Sequence, residues 1–77
     1  MTLTPAVVEG FRLLAAGRLA EAEAVARARL AEAPADAGAW HLAGVLHAKN
    51  ARAATACEAL ERAASLAPAD ARVRLDL

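Results

Sequence analysis

The stretch Ala33-Pro34-Ala35-Asp36-Ala37 returns unchanged as Ala67-Pro68-Ala69-Asp70-Ala71, 34 residues further along a chain of 77. Proline cannot continue a helix, because it lacks the N–H of the ladder and its ring clashes with the preceding turn. An aspartate shortly after it can accept a hydrogen bond from the first free N–H groups of a new helix. The stretch therefore reads as a joint between two helices, and its return sets the length of a repeating unit. Self-similarity at such a period is the mark of a helical repeat array. Arrays of this kind present surfaces, so binding rather than chemistry is the first functional expectation.

Working outward from the joint, four helices and a stub are expected. Thr4-Pro5 opens the first, a hydroxyl N-cap followed by proline at the first helical position. Val7, Val8, Phe11 and Leu14 then recur at helical spacing, and Gly17 offers a left-handed terminator. The second helix is expected over residues 18–33, with Leu19, Ala22, Ala26 and Leu30 on one stripe and its charges, Glu21, Glu23, Arg27 and Arg29, on a solvated face. Asp36 caps the third, which runs through Trp40, Ala43, Gly44 and His47 to Lys49, with Asn50 as its left-handed end. The fourth covers residues 52–67 with Ala56, Leu60, Ala63 and Ala64 inward, and Asp70 caps a stub at 71–77. No segment alternates with period two, so the fold class is all-α.

Composition narrows the function. Nine basic and nine acidic side chains are interleaved and cancel, leaving nothing to recruit nucleic acid or an anionic membrane by charge. No apolar run reaches the roughly 18–20 residues that span a bilayer. The N-terminus lacks the basic segment and apolar core of a secretory signal. One cysteine, Cys57, admits no internal disulfide, and a cytoplasmic location is the expectation. Most of the 58% apolar content is alanine, which favours helices but buries little area per residue.

The residues at this period resemble the tetratricopeptide repeat. Trp40-x2-Ala43-Gly44-x2-His47, then Ala56-x3-Leu60, Ala63 and Pro68, is similar to that family's pattern without insertion. A weaker copy precedes it: Ala6-x2-Glu9-Gly10-x2-Leu13, then Ala22-x3-Ala26 and Pro34, without the opening aromatic and with Arg29 where a small residue is usual. Arg18, Ala20 and Ala22 also recur as Arg52, Ala54 and Ala56. Two departures are local: His47 stands at a usual tyrosine, and Ala51 replaces a turn glycine. The resemblance implies one domain over residues 1–77, a helix-turn-helix solenoid of two antiparallel pairs. Unit one covers about 3–36, unit two about 37–70, and 71–77 begins a third. Gly10 and Gly44 would let helices approach closely, opposite the small Ala22 and Ala56, with Trp40 supplying buried area.

Candidate chemistry is sparse. His41 and His47 lie six apart, about 240° around a helix, and cannot share a metal. His47 is expected to be at least half-buried, His41 exposed, and Cys57 a buried or semi-buried filler. No catalytic, cofactor or metal set is assigned, and the chain is expected not to be an enzyme.

The family's concave wall, formed by the first helix of each unit, would here carry Val7, Phe11 and Leu14, then His41, Val45, Ala48 and Lys49. These residues suit an apolar protein or peptide partner, a partner helix or a second copy of the chain. The other reading of Phe11 and Leu14 is packing against neighbouring helices. The stub, with Val73, Leu75 and Leu77, implies either a longer array or an oligomer joined at open edges. The alternative function is a repeat segment that positions substrate for a larger enzyme.

Overall fold

A computed structural model describes residues 4–66, which form four helices and, among those residues, no strand: α1 Pro5–Ala15, α2 Leu19–Glu32, α3 Ala37–Lys49 and α4 Ala53–Leu66. Side chains cap the first and third helices. Thr4 Oγ1 accepts from the Val7 N–H at 3.4 Å, and Asp36 Oδ1 accepts from the Ala39 N–H at 3.2 Å. Both caps fall where the sequence places them. Pro68, Asp70 and the stub at 71–77 lie outside the described residues.

The two short turns within the helix pairs share one hydrogen-bond pattern. After α1, the Gly17 N–H donates to the Leu14 carbonyl at 3.0 Å and the Arg18 N–H to the Leu13 carbonyl at 2.9 Å. After α3, the Ala51 N–H donates to the Ala48 carbonyl at 3.1 Å and the Arg52 N–H to the His47 carbonyl at 2.8 Å. This is the paired closure that ends a helix through one left-handed residue. Gly17 takes that conformation at φ +79°, and Ala51 takes it at φ +59°. The left-handed end expected at Asn50 is therefore corrected: Asn50 has φ −95°, and the alanine one position later carries the strain. The closing hydrogen bonds fix which residue must turn, whatever its side chain.

α3 packs on α1, α2 and α4, most extensively on α4, while α1 also packs on α2. Gly44 faces α4 so closely that an added Cβ would lie 2.7 Å from Leu60 Cγ and Cδ2. A Cβ on Gly10 would overlap Leu42 Cδ2 of α3 and approach Val25 Cγ1 of α2 to 3.3 Å. Gly44 and Leu60 lie on either side of the Ala51 turn, as Gly10 and Val25 do for Gly17, so each pair doubles back on itself.

The core is built largely from alanine. Ala22, Ala26, Leu42 and Leu46 form its centre, with Phe11, Leu13, Leu14, Leu19 and Ala43 packed around them. Ala56, Ala59, Leu60 and Ala63 bury the inner face of α4. α3 buries Ala37, Gly38, Ala39, His41, Leu42, Gly44 and Leu46, whereas α1 buries Val7 and Gly10. A helix with neighbours on several sides must be apolar around most of its circumference. Trp40, expected to fill the core, is only half-buried, because the close helix contacts leave the interior to smaller side chains.

Candidate protein-binding surface

The predicted surface residues converge on the seam between α1 and α3, although several are consumed by packing. The Phe11 and His41 rings meet edge to face, with centroids 5.4 Å apart and planes inclined at 62°. This contact brings the Val7–Phe11–Leu14 stripe of α1 beside the His41–Val45–Lys49 stripe of α3. Val7 is 0% exposed and His41 3% exposed, so the exposure expected for these two is corrected. Positions 7 and 41 are equivalent in the 34-residue register, and both are covered by neighbouring helices. Helical spacing identifies the stripe but not the element that covers it.

Phe11 and Leu14 are half-buried and pack against the alanine–leucine core, which is the packing alternative raised for them. Val45 is also half-buried, and Ala48 and Lys49 are exposed. The accessible part of the seam therefore consists of the outer edges of Phe11, Leu14 and Val45, with the Lys49 ammonium at the end of α3. Its chemistry is apolar, with a cation at one end.

A second concave region lies between α2 and α3, a groove of about 170 Å³ with Leu30, Trp40, Ala43 and His47 among its lining residues and Glu23 and Arg27 beside them. Arg27 Nη2 donates to Glu23 Oε1 at 2.8 Å, the i,i+4 pair expected from their spacing. His47 is half-buried, as its position suggests. Trp40 is fixed at the groove's edge: its Nε1–H donates to the Pro34 carbonyl at 2.7 Å, and the Arg62 guanidinium lies 5.6 Å from its ring centroid. The sequence signal for that position is the proline six residues earlier, in a joint whose carbonyls have no continuing helix to accept from.

The joint at 33–37 also contains an ion pair that the surface-charge pattern hides. Arg29 Nε donates to Asp36 Oδ2 at 2.7 Å, while the other carboxylate oxygen caps α3. The two side chains are 26% and 10% exposed, so Arg29 does not belong to the solvated face expected for α2. It reaches across the joint because Pro34 turns the chain and returns Asp36 toward the end of α2. Cys57 is exposed rather than a buried filler, since the covered face of α4 is made by Ala56, Ala59, Leu60 and Ala63. Among the described residues, no three His, Cys, Asp or Glu side chains could hold a metal ion, and no helix is long and apolar enough to cross a membrane.

No family model, curated protein or solved structure matches the chain.

Proposed function

We propose that this chain is a noncatalytic, tetratricopeptide-like module that holds a protein or peptide segment along the α1–α3 seam. The observation that carries the repeat reading is the pair of turns: the same two closing hydrogen bonds and the same left-handed residue recur 34 positions apart, at Gly17 and Ala51. Buried Gly10 and Gly44, and buried Ala22 and Ala56, keep the same register. The accessible edges of Phe11, Leu14 and Val45 suit an apolar segment, and Lys49 suits an acidic group beside it.

The test is capture of a partner from native lysate by the immobilised chain, followed by mass spectrometry and binding of the purified partner. Val45→Glu is expected to abolish that binding while leaving the helical circular dichroism unchanged. Equal binding by the wild-type and Val45→Glu chains overturns the assignment of the seam.

A further inference from the structure

The groove between α2 and α3 is separate from the α1–α3 seam. Ala43 lines the groove and Val45 the seam, and two positions are about 200° around a helix, so α3 turns a different side to each. The groove has two unlike ends. α2 ends at Glu32 and α3 begins at Ala37, which puts Leu30 and Trp40 at the end beside the joint. Glu23 and His47 lie seven residues away along their helices, at the far end. Leu30, Trp40, Ala43 and His47 are half-buried and keep accessible surface, while Ala26 and Leu46 are buried as the floor. The joint end is thus apolar, walled by Leu30 and the Trp40 indole. The far end is polar: Arg27 is 76% exposed and bonds Glu23, whose side chain is 31% exposed. A guanidinium has further donors to offer and an imidazole carries at least one, so donors outnumber acceptors there. Arg62 lies against the Trp40 ring but does not line this groove. The far end therefore suits a carboxylate better than a cation.

Size and length narrow the occupant further. A groove of about 170 Å³ is well under the roughly 300–1,000 Å³ of small-molecule sites, so it fits one anchoring side chain of a protein partner rather than a cofactor. Seven helical residues rise about 10.5 Å, a distance that an extended chain covers in about three residues. We propose that this groove is a second docking site, for an extended peptide segment bearing an aromatic side chain and a carboxylate about three residues apart. The aromatic ring enters between Leu30 and Trp40, where ring packing adds to the apolar area buried. The carboxylate meets Arg27 and His47. The site shares no lining residue with the accessible edge of the seam, so it stands whether or not the seam holds a partner.

The test is a nuclear magnetic resonance titration of the isotope-labelled chain with two blocked peptides, acetyl-Ser-Phe-Ser-Ser-Asp-Ser-amide and the same residues in reverse order. Saturable shifts are expected for at least one of them at Leu30, Ala43, His47 and the Trp40 indole N–H. Replacing the peptide's aspartate with asparagine is expected to weaken binding about tenfold, as loss of a charge-assisted contact does. Replacing its phenylalanine with alanine should weaken it at least about tenfold, as loss of an aromatic anchor does. Arg27→Glu should invert the charge preference, so that a lysine peptide binds more tightly than the aspartate peptide. Circular dichroism melts check that this variant remains folded, and the peptide replacements carry the test without it. Three results overturn the proposal: no shifts in the groove at millimolar peptide, shifts gathered on Phe11, Leu14 and Val45 instead, or equal affinity for the aspartate and asparagine peptides.

Discussion

The two helix pairs carry the same turn geometry but differ in burial. α1 buries two of its residues and α3 buries seven, although the two helices occupy equivalent places in the 34-residue register. Leu42 is 0% exposed, and its counterpart Val8 is 43% exposed. The difference comes from position: α3 has α2 on one side and α4 on the other, while the Val8 side of α1 is open. A repeated sequence pattern therefore specifies turns and close contacts locally, and the neighbours decide what each face is worth.

The largest test of that contrast is to truncate the equivalent side chains. Leu42→Ala is expected to destabilise the fold by about 2–5 kcal/mol, the range for removing a buried leucine. Val8→Ala should stay within about 0.5 kcal/mol, as surface substitutions do. Urea denaturation followed by circular dichroism measures both, and similar losses would erase the distinction between the pairs.

The joint between the pairs gives an intermediate effect. Asp36→Ala removes the α3 cap and leaves Arg29 without its carboxylate, and a loss of about 1–2 kcal/mol is expected in the same measurement. Asp36→Asn keeps a capping oxygen and should recover most of the cap's share.

The smallest effect distinguishes the two turns. Ala51→Gly should stabilise the chain by about 0.5–1 kcal/mol, because the left-handed strain it relieves outweighs the added unfolded-state entropy. Gly17→Ala should destabilise it by a similar amount. Opposite shifts in thermal midpoint are the expected result, and shifts of the same sign would refute the shared turn geometry.

Helix existence and ends are legible in the sequence because Thr4-Pro5, Gly17, Pro34 and Asp36 act within a turn of their own positions. The glycines at 10 and 44 are legible as close approaches for the same reason that the repeat is: a side chain is missing at fixed spacing. The covering of each stripe is not. α3 is apolar around most of its circumference, so its periodicity gives no direction, and the burial of His41 follows from contacts with other helices. Arg29 reads as one more surface charge because its partner lies across a proline joint, seven residues away rather than three or four. Ala51 is concealed by Asn50, the better intrinsic former of a left-handed turn standing one place too early.

The Trp40 anchor has an optical consequence. It is the chain's one tryptophan, and there is no tyrosine, so indole fluorescence reports a single place. That place is where the Pro34 carbonyl of the joint and the Arg62 guanidinium of α4 meet α3, at the edge of the groove that α3 forms with α2 of the first helix pair. The molecule thus contains its own spectroscopic gauge of how its two halves are set against each other.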